Sequence, residues 1–202
     1  LGSRFTPSLP VMRFPGELLF VGRLVEKKGL AHLIAVMPRI VSRFPNVRLT
    51  IAGSGPDQAR LAEQITASGL EACVTFLGAV KQEYLPSLYR RAAIFVAPFV
   101  RAASGDQEGL PVALMEAIGC GCPVVAGNVA GIEDIFGEAI VDFAVDPADH
   151  EALAHRIETV LQDPDRAQIQ IMHIRERMCE RLDWGRVAER YASLLREASS
   201  LR

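Results

Sequence analysis

No run of apolar residues in this chain approaches the roughly 20 that a helix needs to cross a bilayer, and no basic-then-apolar leader opens it. The expectation is a soluble protein. Neither sign of charge is in excess. The 22 Lys and Arg stand against 24 Asp and Glu, a formal net charge of −2, which argues against a nucleic-acid partner or a general electrostatic role at a membrane surface. Cysteine is scarce, and Cys73, Cys120, Cys122 and Cys179 fall on or beside predicted core elements. Cys120-x-Cys122 lacks a second ligand pair, so buried free thiols are expected in preference to a zinc site or a disulfide, and a reducing cytoplasm fits. Two phosphate-binding signatures are also missing. Gly29 is followed by Leu30 and Ala31, not by the Lys-Ser/Thr of a P-loop. Gly53-Ser54-Gly55 has no third glycine at the dinucleotide spacing and follows the second predicted strand, not the first, which disfavours a nicotinamide enzyme.

What is present is enough for one full domain: 202 residues, 50% of them hydrophobic. Leu18 to Val21, Val47 to Ala52, Cys73 to Leu77, Ala93 to Ala97, Pro123 to Ala126 and Ala139 to Phe143 read as short buried strands. Helical spacing separates them, as in Leu30, Leu33, Ile34, Met37, Ile40 and Val41, then Asp57 to Ala67 and Gln82 to Arg91, with a helical turn at Ile132 to Phe136. Such alternation predicts an α/β fold with a mostly parallel six-stranded sheet, helices on both faces, and further helices from His150 to the C-terminus. Residues 1–17 are proline-rich and without periodicity and read as a linker. Residues 18–182 form the domain, and 183–202 a last helix.

The densest stretch runs from Ser104 to Val125. Pro111 suits a first helical turn, Val112 to Ile118 are mostly apolar, and Gly119 and Gly121 close the helix. Glu108 precedes that helix and Glu116 lies eight positions on. At about 100° per residue the two carboxylates fall within about 80° of each other, so both can face one cleft. The helix start offers the N–H groups of Gly109, Leu110 and Val112 and a positive dipole end to an anion. A solvated pair of acids is the competing reading. Glu116, however, sits in an apolar helix ahead of an apolar strand, where an unpartnered charge is rare.

In open parallel sheets ligands bind beyond the carboxyl ends of the strands. Gly22, Arg23 and Lys28 lie beyond the first predicted strand, and Gly78, Ala79 and Val80 beyond the third. Arg23 and Lys28 are either solvated cations or phosphate ligands, while Lys27 reads as a solvated cation. Gly78, Val80 and Leu85 form either an ordinary turn and core leucine or a flat slot for a nucleobase. His32, His150, His155 and His173 fall on predicted helices away from the strand ends and read as structural residues.

Taken together, EGLPVALMEAIGCGCPVVAG from Glu108, GRLVEKKG from Gly22, IAGSGP from Ile51 and the pattern from Phe76 to Pro98 resemble the retaining glycosyltransferases of family four, over nearly the whole chain. The resemblance implies a Rossmann-like half of a GT-B fold whose substrate is a nucleotide-diphosphate sugar. Arg23 and Lys28 would hold the pyrophosphate in place of a metal ion, so neither metal nor cofactor is implied. Glu116 would accept from the ribose hydroxyls, Glu108 would lie by the donor sugar, and Gly78, Val80 and Leu85 would hold the base. GSRFTP at Gly2 resembles the interdomain connection, which implies a separate N-terminal domain supplying most contacts to an acceptor glycan or lipid-linked glycan. The last helix, with Trp184, Tyr191 and Leu195, would pack back on that domain. Leu110-Pro111 departs from the frequent Phe-Gly, and the loop Val100 to Gln107 is longer than usual. Both features put in doubt which amides reach the phosphate, while E-G-L-P itself is familiar among cell-surface polysaccharide enzymes. The implied place of work is the cytoplasm, including the cytoplasmic face of the membrane. The alternative reading is a nucleotide or nucleotide-sugar binding module without transfer activity.

Overall fold

The computed structural model describes residues 4–7, 13–181, 191–193 and 196. Its centre is a six-stranded sheet in the order β3-β2-β1-β4-β5-β6, every pairing parallel. The strands are β1 (Phe14–Val21), β2 (Arg48–Ala52), β3 (Val74–Gly78), β4 (Ala92–Ala97), β5 (Val124–Gly127) and β6 (Ala144–Val145). Between β1 and β4 the order reverses, leaving a crevice at the carboxyl ends where adjacent loops diverge.

Both faces are covered because the central strands are apolar on both sides. Leu18 and Phe20 of β1 point into one layer with Ile94 and Val96 of β4, while Leu19 and Phe95 point into the other. The first layer is closed by α1 (Leu30–Arg43), α2 (Gln58–Ala67) and α7 (His150–Gln162). The second is closed by α3 (Leu85–Arg91), α4 (Val112–Gly119), α5 (Ile132–Phe136), α6 (Ile140–Phe143) and α8 (Pro164–Arg181). Helix α7 is tied to α1 by the buried Glu158 carboxylate, which takes Arg39 Nε at 2.9 Å and an Arg43 guanidinium nitrogen at 2.6 Å.

Three expectations need correction. Strand β1 begins at Phe14, four residues before the predicted start. Just ahead of it, Arg13 donates to the carbonyls of Tyr89, Arg90, Ala92 and Gly121. Phe5 is also buried, against the Tyr89 ring. At least these parts of the expected linker are packed into the body, fastened by a multivalent donor that proline-rich composition conceals. Second, residues 139–143 are not the sixth strand. They form a 3-10 turn and α6, and only Ala144–Val145 joins the sheet beside Ala126 and Gly127. A short run that is mostly apolar does not distinguish strand from helix, and the helix wins because it stacks Phe143 on Phe136 at 4.7 Å. Third, Cys179 is exposed, whereas Cys73, Cys120 and Cys122 are buried, and all four are free thiols. Of the last-helix residues singled out, Tyr191 is exposed, and Trp184 and Leu195 lie outside the described residues.

Candidate functional site

The loops after β1, β2 and β3 are tied in series. Gly22 N–H donates to Ala52 O at 3.0 Å, Leu24 N–H to Ser54 O at 3.0 Å, and Gly53 N–H to Gly78 O at 2.7 Å. The fit leaves no room at Gly53, where an added Cβ would stand 1.8 Å from Gly22 O. These loops enclose an open cavity of about 530 Å³, walled by Gly22, Arg23, Ser54, Gly55, Val80 and Leu85 among others. Four of the residues singled out in the sequence, Gly22, Arg23, Val80 and Leu85, therefore share one wall. Gly78, at φ +68, makes the turn that leads into Ala79 and Val80. The Arg23 side chain is exposed and pairs with no described carboxylate, so its guanidinium is available to an anion. Ser54 and Gly55, first met as a failed dinucleotide motif, are part of the wall.

Lys28 lies beside this cavity. The position a Gly22 Cβ would take is 3.6 Å from Lys28 Cδ, so its stem runs over Gly22. Its ammonium sits 2.5 Å from Glu108 Oε2 and 5.0 Å from the centroid of the Phe99 ring. Both partners are mostly buried, with side chains 16% and 14% exposed, and Glu108 Oε2 accepts no hydrogen bond beyond this ionic contact. Lys27 is not simply solvated, for it pairs with Asp106 at 3.1 Å. The Ala103 N–H donates to Glu26 Oε1 at 2.8 Å, and the Val100 N–H to Lys27 O at 3.0 Å. The loop between β4 and α4 is thereby strapped to the turn that carries Lys28.

Glu116 is 6% exposed. Its carboxylate accepts from Tyr89 OH at 3.2 Å and from Gln82 Nε2 at 3.3 Å. The buried acid has partners, as its apolar setting required. The expectation that both acids face one cleft is not met directly. Glu108 turns to Lys28, and Glu116 turns to the α3 segment whose Leu85 walls the cavity. Burial, and then the Glu116 charge, push the Tyr89 phenol well above its ordinary range, which keeps it a neutral donor to that carboxylate. Tyr89 and Gln82 were not identifiable from sequence, because Tyr89 shares the spacing of core residues Leu85 and Leu88 and Gln82 has no local pattern.

At the start of α4, Pro111 is the N-cap and its carbonyl accepts from Leu114 and Met115. The Val112 N–H is used by Leu110 O at 2.9 Å, so it is not free as expected. The N–H groups of Gly109 and Leu110 have no partner among the described residues, and Leu110 and Val112 carry exposed side chains. The histidines also differ from expectation. His32 and His150 open α1 and α7 and so lie at the carboxyl edge of the sheet, their ring nitrogens 3.2 Å apart. A helix that directly follows a strand must begin at that edge. Among the described residues no group of three or more His, Cys, Asp or Glu is placed to hold a metal ion, and no helix is long and apolar enough to cross a membrane.

Comparison with known proteins gives this geometry a family. The model of glycosyl transferases group 1 matches residues 15–177. The chain belongs to that family. It is 33% identical over 178 residues to the glycogen synthase of Mycobacterium tuberculosis H37Rv, covering 86% of this chain and 41% of that one. To the amylovoran biosynthesis glycosyltransferase AmsK of Erwinia amylovora it is 37% identical over 140 residues, 69% of this chain and 34% of that one. The solved sucrose-phosphate synthase of Thermosynechococcus elongatus superposes with a TM-score of 0.80 at 28% identity, over 98% of this chain and 51% of that one. The chain thus spans about half or less of these relatives. In this fold the Lys28–Glu108 pair lies at the crevice where the strand order reverses, and the cavity adjoins it beyond β1, β2 and β3.

Proposed function

We propose that this chain is the donor-binding half of a retaining glycosyltransferase that takes a sugar from a nucleotide-diphosphate sugar, in the synthesis of a cell-surface polysaccharide or glycolipid. One observation carries the reading. An unpaired guanidinium, Arg23, shares a cavity wall with Val80 and Leu85, and the Lys28–Glu108 pair lies against the same loop.

In this reading the base lies against Val80 and Leu85, and Gly78 turns the backbone toward its edge. The diphosphate meets Arg23, Lys28 and the free N–H groups of Gly109 and Leu110. Glu116 receives the ribose hydroxyls when the exposed Gln82 amide gives way, since one carboxylate offers acceptors to two vicinal hydroxyls. Glu108 lies by the donor sugar. The bond from the anomeric carbon to the diphosphate oxygen breaks, the two cations stabilise the charge left on the diphosphate, and an acceptor hydroxyl passes its proton to the departing diphosphate oxygen as its own oxygen bonds to that carbon on the same face. Neither a metal nor a cofactor has a part in this scheme. The acceptor would be held largely by an N-terminal domain, in a protein working in the cytoplasm or against the cytoplasmic face of the membrane. The relatives named for glycogen and amylovoran synthesis support the class of product.

The test is turnover of UDP-, GDP- and ADP-sugars by the intact protein and by its Arg23→Ala and Lys28→Ala forms. One donor should be consumed by the native protein, with the product anomer matching the donor, and both variants should lose at least about tenfold of kcat/KM. Tight nucleotide binding without turnover by the intact protein would favour a non-catalytic binding module instead.

A further inference from the structure

A second cavity, of about 620 Å³, lies beyond the carboxyl ends of β4, β5 and β6, as the first lies beyond β1, β2 and β3. In the sheet order β3-β2-β1-β4-β5-β6 the Lys28–Glu108 pair spans the boundary between the two triplets. Gln107 and Phe99 of the second wall are, respectively, the chain neighbour of Glu108 and the ring beneath Lys28. The pair therefore has a cavity on either side.

The chemistry of the second wall is distinct from that of the first. Its polar members are Glu26, His32, Arg101, Gln107, Asn128 and Asp146. Two carboxylates against one guanidinium leave it weakly negative, which disfavours a phosphate or a carboxylate ligand. Among the described residues no three ligating groups converge as a cation would require. The Gln107 and Asn128 amides each carry both donors and acceptors, and neither side chain is engaged within the described residues. Burial and the neighbouring His150 lower the His32 pKa while Asp146 opposes them, so near neutral pH the ring is uncharged, with Nδ1 against His150 Nε2 at 3.2 Å and Nε2 left to a ligand. Val100 and Pro147 supply apolar surface between these groups. A ligand that satisfies mixed donors and acceptors at low charge, and that offers C–H faces to apolar patches, is a neutral polyol.

We infer that this cavity is a binding site for a neutral saccharide, with Asn128, Gln107 and His32 as its reading groups, placed across the Lys28–Glu108 pair from the nucleotide cavity. The inference deepens the proposed function and rests on it for the relation between the two cavities, but binding at each is measured separately. A saccharide seated here touches the strapped loop that carries Glu108, so a glycan reaches the reacting pair from the β4–β6 side.

The experiment is saturation-transfer NMR on the intact protein with maltotriose and mannobiose, and with glucuronic acid as an anionic control, each at about 10 mM, beside calorimetric titration with UDP, GDP and ADP. At least one neutral oligosaccharide should receive saturation, and glucuronic acid should receive none. Asn128→Ala combined with Gln107→Ala should weaken the neutral ligand about fivefold or more, the loss of one or two hydrogen bonds, while nucleotide affinity and melting temperature stay unchanged. A double variant that binds the oligosaccharide as well as the native protein overturns the inference. So does the absence of saturation for both neutral probes, or a stronger response to glucuronic acid. If saccharide binding responds as stated but no nucleotide binds, this site stands and the donor reading fails.

Discussion

Lys28 Nζ lies 2.5 Å from Glu108 Oε2, an ion pair that joins the turn after β1 to the loop after β4 across the point where the sheet order reverses. Each residue alone reads as an ordinary charge, but together they form a mostly buried couple resting on the Phe99 ring. A pair so enclosed is costly to break by removing one member, because the other is left without compensation. In the proposed donor reading, an arriving diphosphate would offer Lys28 a second anion and so free the carboxylate for hydroxyl groups.

That exchange gives opposite consequences for the two members. Lys28→Ala should weaken nucleoside diphosphate binding by about tenfold or more, since a charge-assisted contact is lost. Glu108→Gln releases the ammonium from its partner, so diphosphate binding should hold or tighten while sugar transfer by the intact protein falls. Calorimetry and turnover on the two variants check this, and equal losses of binding in both would remove the exchange from the account.

Helix α7 is held to α1 by a carboxylate buried between two arginines, Glu158 with Arg39 and Arg43. The Arg39 side chain is 33% exposed and the Arg43 side chain 51% exposed, against 2% for Glu158, so the penalty for breaking the cluster falls on the acid. Arg39→Ala with Arg43→Ala should lower the urea unfolding midpoint, because the buried acid is left unpaired. Glu158→Ala should cost less, because the freed guanidinium groups can hydrate.

Burial pushes the Cys120 thiol up to about 11 and the Cys122 thiol up to about 12, and it raises Cys73 as well. Thiolate is the reactive form. At pH 8 one thiol, Cys179, should react rapidly with a disulfide reagent, and the other three should appear only on unfolding. Cys179→Ser should abolish the fast phase.

His32 is held below its ordinary value of 6.5 by burial first and by His150 second, with Asp146 opposing. A base whose pKa falls on folding binds fewer protons in the folded state, so its contribution to stability is intact above 6.5 and shrinks as pH drops through that value toward the folded pKa. Melting temperature should therefore decline between about pH 7.5 and about pH 5.5, one unit either side of the ordinary value. His32→Gln should flatten that part of the profile, and an unchanged profile would count against the assignment.

The layered fold was legible because β1, β4 and β5 are apolar on both faces and separated by helical periods, a pattern that only a covered parallel sheet satisfies. Arg23, Gly22, Val80 and Leu85 were legible for the same reason: position after a strand fixes which edge of the sheet a residue joins. Side-chain direction was not. The eight-residue interval between Glu108 and Glu116 assumed one continuous helix, whereas α4 begins only at Val112 and the preceding loop bends Glu108 back toward Lys28. The partners of Glu116 come from Tyr89 and Gln82, more than 20 positions away in sequence, and no local signal reports such a contact. The packing of Phe5 and Arg13 was concealed in the same way, by prolines that look like a linker. Residues 139–143 failed for lack of length.

The central claim is that the cavity at the ends of β1, β2 and β3 receives a nucleoside diphosphate through Arg23, and calorimetric titration of the protein with UDP, GDP and ADP, repeated on Arg23→Ala, tests it most directly. The account predicts that one of the three binds clearly and that the variant binds it at least about tenfold more weakly. Indifference to all three, or an affinity untouched by loss of the guanidinium, would contradict it.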